Sequence, residues 1–309
     1  MFAEIGGIPC EYRAGIREDA ALRGSFNALA ETTFGLNFEN WYQGGFWGDD
    51  YEPHVLLAEG RVAANVSVNR IPLRIGNERR LYIQLGTVMT APAFRGRGFA
   101  RFLLTRVLEE WKGRCGAVYL FANDSALGFY PRFGFAPERE YEHRLPLPGG
   151  CAPAARRLDM ESGEDRAALL AAYARGNPFS ALEMERNPGL LMFYCAQFLK
   201  NAVWAVPEAD AVVIAEPEAD GLLCYDVFGS PAAGSSPAAG LGALLSAAAH
   251  GASAASGVRT ARLGFTPAVC PPGTRAALRW EEDTTLFVLR GGENPFAGQK
   301  RMFPLLSHA

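Results

Sequence analysis

A predicted strand, a glycine-bearing loop and a predicted helix follow one another in the first half of the chain. Residues Leu81–Met89 alternate between apolar and other side chains, which is typical of a half-buried strand. Apolar residues of Phe99–Trp111 recur at spacings of three and four, as on one face of a helix. Between them, Gly96 and Gly98 allow positive backbone angles and close approach to the main chain. The free N–H groups and the dipole of the helix N-terminus then favour an anion, and a phosphate fits best.

The loop sequence narrows the kind of anion site. Two glycines and several arginines by themselves favour an ordinary strand-turn-helix corner. No Gly-Lys-Ser/Thr follows, as in a Walker loop, and the glycine spacing is not that of a dinucleotide fingerprint. Arg95, Gly98 and Ala100 instead match the pattern Arg/Gln-x-x-Gly-x-Gly/Ala. This stretch resembles the acyl-coenzyme A motif of the GCN5-related N-acetyltransferases, the GNAT superfamily.

A second element, about twenty residues further on, resembles the same family. Residues Ala117–Phe121 are typical of a short buried strand, and Asn123 to Ser125 are good N-cap residues for a helix over 125–133. Gly134 is a good helix stop. The run Phe129–Phe135 is similar to the family's tyrosine-to-Gly-Phe element, in which the tyrosine hydroxyl faces the cofactor sulfur.

The resemblance implies acetyl-coenzyme A (acetyl-CoA) as co-substrate, no metal, and direct attack of an amine without an acyl-enzyme. Tyr130 is the expected acid for the leaving thiolate, since a thiol pKa of about 8.5 and a tyrosine pKa of about 10 allow that transfer on contact. The alternative for Tyr130 is a core tyrosine at a helix edge. The expected cofactor-binding residues are Val88, Met89, Thr90, Arg95, Gly96, Arg97, Gly98, Phe99, Ala100, Arg101 and Asn123.

The base that deprotonates the acceptor amine remains open. An aliphatic ammonium with a pKa of about 10 must lose a proton before it attacks. The candidates are the carboxylates of residues 39–52, which are Glu39, Asp49, Asp50 and Glu52, together with His308, the Ala309 carboxylate and water. The end of the chain is too apolar for a frayed tail, which predicts docking toward the first domain. In similar tandem acetyltransferases, including those acting on aminoglycosides, the C-terminal carboxylate is the base; the alternative here is structural docking.

The order of predicted elements recurs after a Pro/Gly-rich linker. We predict a catalytic GNAT domain over residues 1–146, a linker over 147–157 and a degenerate GNAT-like domain over 158–309. Both are α/β folds with mixed sheets, and the second takes strands near 260–265 and 284–289. Opposite the Arg95 loop the second copy has Gly229–Gly234, without arginine, so we expect no cofactor there. Residues 229–240 also fit a low-complexity linker.

An aromatic stretch precedes the second predicted strand. Residues 34–51 contain Phe38, Trp41, Tyr42, Phe46 and Trp47. Core packing is the default for so many aromatic side chains. In the resembling family this position borders the acceptor pocket, so substrate lining is the alternative.

Composition limits the partners. The net charge of −3 and the pI near 5.9 argue against nucleic acid and anionic membranes. Six cysteines without a C-x-x-C pair and only four histidines favour a reducing cytoplasm and no zinc site. We therefore expect a cytoplasmic acetyltransferase, without a membrane span, that acts on a primary amine of a small molecule or peptide, and a homodimer is possible. The alternative is an acyl-CoA-binding regulatory or sensor protein without turnover.

Overall fold

The computed structural model describes residues 1–148, 152–219, 221–229, 237–252 and 258–308. In chain order its strands are β1 (Phe2–Ile5), β2 (Ile8–Ala14), β3 (Tyr51–Ala58), β4 (Arg61–Ile75), β5 (Glu78–Thr90), β6 (Ala117–Ala122), β7 (Phe135–Pro137), β8 (Tyr141–Pro146), β9 (Arg156–Arg157), β10 (Leu182–Met184), β11 (Val203–Val206), β12 (Ala211–Glu218), β13 (Gly221–Gly229), β14 (Thr260–Leu263), β15 (Arg275–Leu278) and β16 (Thr285–Leu289). Its helices are α1 (Ala20–Phe34), α2 (Glu39–Gln43), α3 (Phe99–Trp111), α4 (Gly163–Arg175), α5 (Pro188–Gln197) and α6 (Pro237–Ala252).

The first sheet has the strand order β1-β2-β3-β4-β5-β6-β16-β7, and β10 pairs with β4 off this path. Only β5 and β6 run parallel, joined by α3. Successive side chains of β3 point to opposite faces. Leu56 packs with α3 in one apolar cluster, whereas Val55 and Leu57 pack with α1 in another. The two helices therefore cover opposite faces of this sheet.

Local sequence signals explain both helices. Asp19 begins α1 by accepting hydrogen bonds from the Ala21 and Leu22 N–H groups, each at 3.1 Å. Gly35 ends it in the left-handed conformation. The predicted apolar stripe of α3 is buried against the sheet, at Phe99, Leu103, Val107 and Trp111.

The second sheet repeats this plan with the order β15-β8-β14-β13-β12-β11-β9. Here β13 and β14 are the parallel pair, and α6 connects them. Leu245 of α6 packs with Val213 on one face, while Leu169 of α4 and Leu191 of α5 pack with Ile214 on the other. The two halves of the chain are thus built alike, as two mixed α/β folds.

The two sheets exchange one strand each. β8 precedes the predicted linker, yet it lies between β14 and β15 of the second sheet. β16 lies between β6 and β7 of the first sheet, so the prediction that residues 284–289 belong to the second fold was wrong. The boundary between the two sheets therefore does not coincide with the predicted domain limits at residues 146 and 158. Alternation in sequence identifies a strand but does not identify its partner.

The predicted helix over 125–133 was also wrong. Two short 3₁₀ turns occupy this stretch, Asp124–Ala126 and Tyr130–Phe133. Pro131 lacks an N–H donor and disfavours helical geometry at the preceding residue, so a continuous helix does not form. Of the loop predicted over 229–240, residues 230–236 lie outside the described residues, and α6 already begins at Pro237.

Two features of the described ranges bear on the predicted partners. Among their helices, none combines the length and apolar character needed to cross a membrane. Among their side chains, no group of three or more His, Cys, Asp or Glu is placed to hold a metal ion.

Candidate functional site

A groove opens where β5 and β6 separate. The strands pair only between Tyr82–Gln84 and Ala117–Tyr119, although both continue further. Beyond the pairing lies a cavity of about 600 Å³, bounded by residues 85–90 of β5 and by Phe121 near the end of β6. A larger cavity of about 910 Å³ lies around Trp111 at the far end of α3 and contains none of the predicted site residues.

A bulge in β5 shapes one wall of the groove. The register with β4 shifts between Asn65 and Ser67, and Thr87 adopts a φ of 48°. A left-handed conformation is costly for a β-branched residue, so other contacts must hold it. Asn65 Nδ2 donates to the Thr87 carbonyl at 2.8 Å, and the Thr87 hydroxyl bonds the Tyr51 hydroxyl at 2.9 Å. Ser67 donates to the same Tyr51 oxygen at 2.9 Å. Thus a buried polar network fixes the bulge.

A second cavity, of about 590 Å³, surrounds the glycine loop. Gly96 and Gly98 have positive φ angles of 74° and 92°. No N–H group of residues 96–101 donates a hydrogen bond to another described residue. The two cavities adjoin, because Thr90, Arg95, Ala100 and Phe129 line both. Free N–H groups at a helix start beside a cavity are the arrangement that proteins commonly use to bind anions.

Four arginines line this second cavity, and they are Arg95, Arg97, Arg101 and Arg132. None of them forms an ion pair within the described ranges, so their charge is available to a ligand. Arg95 Nε donates to the Thr90 carbonyl at 3.1 Å, which holds it at the junction of the two cavities. Sequence reasoning missed Arg132 as a site residue. Its signal was present, since it follows Tyr130 by two positions in the recognised Phe129–Phe135 run.

Tyr130 lies in the main groove beside Phe121 and Asn123. Its side chain is only 5% exposed, and its hydroxyl makes no hydrogen bond to any described residue. Burial raises the pKa of Tyr130 to about 12. The hydroxyl is therefore protonated at neutral pH and free to donate to a group in the groove.

The predicted cofactor residues divide between the two adjoining cavities. Those lining the main groove are Val88, Met89, Thr90, Arg95, Ala100 and Asn123. Those lining the loop cavity include Gly96, Arg97, Gly98, Phe99 and Arg101. Asp283, from the turn before β16, also lines the groove. Sequence reasoning missed Asp283, because its strand was assigned to the other fold.

The carboxylates of residues 39–52 do not line the groove. Glu39 pairs with Arg23 at 2.8 Å, and Glu52 pairs with Arg70 at 2.6 Å. Of the aromatic stretch, Phe38, Trp41 and Trp47 are buried core residues. The groove is lined instead by Thr33, Phe34 and Leu36, from the end of α1 and the turn after it.

Comparison with known proteins identifies the part of the chain that carries this site. Residues 24–137 match the family model described as "Acetyltransferase (GNAT) domain". This range contains every residue of the main groove except Asp283, so the predicted resemblance is confirmed where the groove lies. No curated protein matches the sequence.

Solved structures share the fold across both halves. A probable N-acyltransferase of unknown function from Enterococcus faecalis V583 is 12% identical, with a TM-score of 0.58. A GCN5-related N-acetyltransferase from Anabaena variabilis is 14% identical with a TM-score of 0.55, and Eis1 from Mycobacterium abscessus is 19% identical with a TM-score of 0.53. Each alignment covers 90% of this chain and 72% of the other. The arrangement of two mixed α/β folds in one chain is therefore shared with these proteins.

The C-terminal segment packs against β6 of the first sheet. The Phe303 ring stacks on Tyr119 with centroids 3.9 Å apart, and the His308 ring stacks on Phe121 at 4.0 Å. Burial lowers the pKa of His308 to about 3, so its imidazole is neutral. His308 does not line the groove and reaches it only through Phe121. Ala309 lies outside the described residues.

The second fold fills the position that corresponds to the groove. β13 and β14 pair only over Leu222–Cys224 and Ala261–Leu263, a three-residue pairing like that of β5 with β6. Beyond that pairing, Asn177 Nδ2 donates to Asp226 at 2.5 Å and the Ala181 N–H donates to the Thr266 carbonyl at 2.8 Å. The segment 177–181 thus bridges the separating strands, with the Phe179 ring buried between its ends.

Proposed function

We propose that the GNAT domain transfers the acetyl group of acetyl-CoA to a primary amine of a small molecule or peptide by direct attack. The adjoining cavities carry this proposal. One offers free N–H groups and unpaired guanidinium groups, which suit a pyrophosphate. The other extends from Arg95 to the Tyr130 hydroxyl and suits a pantetheine arm that ends in a thioester.

The proposed reaction needs one proton to leave the amine and one to reach the sulfur. The amine nitrogen attacks the acetyl carbon, the C–N bond forms, and the C–S bond breaks as the intermediate collapses. Tyr130 donates its proton to the departing thiolate. Burial raises the pKa of Tyr130 to about 12, above the value of about 8.5 for a thiol, so the hydroxyl gives up its proton only in contact with the sulfur as the C–S bond breaks, and the phenolate then takes a proton from water. N–H groups of the bulge at 87–89 are the proposed contacts for the thioester carbonyl.

For the amine proton, we propose the Ala309 carboxylate as base. The stacking of His308 on Phe121 supports this, because Phe121 lines the groove and His308 is the residue directly before Ala309. His308 is the second candidate. The low pKa of His308 leaves its imidazole ring neutral but makes it a weak base.

We also propose a single cofactor site per chain. The segment 177–181 spans the opening of the second fold through hydrogen bonds to Asp226 and Thr266. A pantetheine arm there would have to displace buried protein contacts. Titration with acetyl-CoA is expected to give one site per chain, and two equivalent sites would contradict this.

The experiment measures acetyl-CoA binding by calorimetry and thiol release across a panel of amines. We expect binding without any added amine, and thiol release with at least one primary amine. Arg132→Ala should weaken acetyl-CoA binding about tenfold through the loss of a charged contact, which corresponds to about 1.4 kcal/mol. Arg61→Ala, at an exposed arginine outside both cavities, is the matched control. Binding without thiol release on any amine favours an acyl-CoA sensor; absence of binding rejects both functions.

A further inference from the structure

The exchanged strand delivers one acidic residue to the groove. β16 runs antiparallel to β6 and places Thr285 opposite Ala122, the last residue of β6. The turn before β16 therefore meets the turn after β6. Asp283 of this turn is exposed, and it is the one acidic side chain among the described residues that line the groove.

Asp283 makes a specific contact with the turn after β6. Its Oδ1 accepts a hydrogen bond from the Asp124 N–H at 2.5 Å. Asn123, which stands at the N-cap of this 3₁₀ turn, makes no capping bond of its own. Its Oδ1 accepts from the Ser125 hydroxyl at 2.9 Å instead. The turn is thus capped from the other half of the chain.

The capped turn is a wall of the groove. Asn123, Ser125 and Ala126 all line it, directly after the strand that faces the bulge at Thr87. Asp283 holds a φ of 56°, a conformation that Asp, Asn and Gly adopt more readily than other residues. The carboxylate is therefore fixed by its backbone and by Asp124 together.

From this geometry we infer that Asp283 is a positioning residue for the acetyl-CoA groove, supplied to the GNAT domain by the second half of the chain. The inference rests on the proposed function. Asp283 acts through Asp124 by holding the 123–126 turn against the groove. The GNAT domain of residues 24–137 accordingly lacks a part of its own site when the exchanged strand is absent.

Three variants test this role. Asp283→Gly keeps the left-handed backbone accessible and removes the acceptor, whereas Asp283→Asn keeps an acceptor oxygen and removes the charge. Glu59→Gly is the matched control, since Glu59 is an exposed acidic residue with a φ of 52° in the β3–β4 turn. The readouts are the Kd for acetyl-CoA, kcat and the KM for each substrate, with thermal unfolding as the check on folding.

We expect Asp283→Gly to raise the Kd for acetyl-CoA about fivefold, equivalent to about 1 kcal/mol, with kcat at saturation nearly unchanged. The Asp283→Asn variant should bind acetyl-CoA within about twofold of the wild-type Kd, because its amide oxygen can still accept the hydrogen bond from the Asp124 N–H. If the Asp283→Gly variant binds acetyl-CoA as tightly as the Glu59→Gly variant does, Asp283 has no positioning role. A raised acceptor KM in both Asp283 variants, with unchanged acetyl-CoA binding, would overturn it in favour of direct contact between the carboxylate and the acceptor ammonium.

The same measurements separate this inference from the proposed function. Wild-type protein that does not bind acetyl-CoA rejects the function and this inference with it. Wild-type protein that binds and turns over, with an unaffected Asp283→Gly variant, rejects only the positioning role.

Discussion

The Tyr51 hydroxyl lies 2.9 Å from the Thr87 hydroxyl and supports the left-handed residue in the bulge of β5. Tyr51→Phe removes this bond and the one from Ser67. We expect a loss of about 1–2 kcal/mol in the free energy of unfolding and a lower kcat, because Thr87 can relax away from its bulged conformation. Chemical denaturation and steady-state kinetics measure the two effects. Tyr42→Phe, at a partly buried tyrosine outside the groove that is bonded to Glu18, is the control, and equal kcat losses in both variants would contradict the role of Tyr51.

Tyr130→Phe tests the proposed acid. The hydroxyl makes no hydrogen bond to a described residue, so its removal should leave stability and the Kd for acetyl-CoA nearly unchanged. We expect kcat to fall about 100-fold, the lower end of the range for general acid catalysis. Since burial raises the pKa of Tyr130 to about 12, wild-type kcat should not decline through tyrosine deprotonation below about pH 10. An unchanged kcat in Tyr130→Phe would remove Tyr130 from the mechanism.

Removal of the last three residues tests the proposed base. The truncation deletes Ser307, His308 and Ala309, and with them the stacking on Phe121. We expect kcat to fall at neutral pH while acetyl-CoA still binds, because the anion cavity is formed by residues 90–101, Phe129 and Arg132. His308→Phe keeps an aromatic ring on Phe121 and serves as the control. Full turnover by the truncated chain would leave water as the remaining candidate.

Asp226 gives a pH-dependent prediction for stability. Burial raises the pKa of Asp226 to about 7, above the value of about 3.9 in an unfolded chain. The folded state therefore keeps a proton that the unfolded state releases, so this group's stabilising contribution is present below about pH 4 and is lost as the pH rises toward 7. Asp226→Asn keeps an acceptor for Asn177 without the ionisation. Its melting temperature relative to wild type should be higher at pH 8 than at pH 5; the opposite order would contradict the assignment.

Much of the site followed from local sequence. The glycine loop, the apolar stripe of α3 and the Phe129–Phe135 run with Tyr130 can each be recognised from the sequence, because each depends on residues close together in the chain, and the structure places the loop and Tyr130 at adjoining cavities. The misassigned pieces were the 125–133 helix, which Pro131 interrupts, and the strand at 284–289. The first error overlooked a local breaker, whereas the second concerned a partner more than 160 residues away, Ala122.

The sequence by itself determined the strand-loop-helix unit, since backbone conformation at Gly96 and Gly98 and the periodicity of α3 are local properties. Only the tertiary structure decided which sheet receives β8 and β16, that Asp283 caps the turn at Asp124, and that residues 177–181 fill the second opening. Strands of similar alternation can pair in either sheet. The choice depends on side-chain packing between distant segments, which no local pattern records.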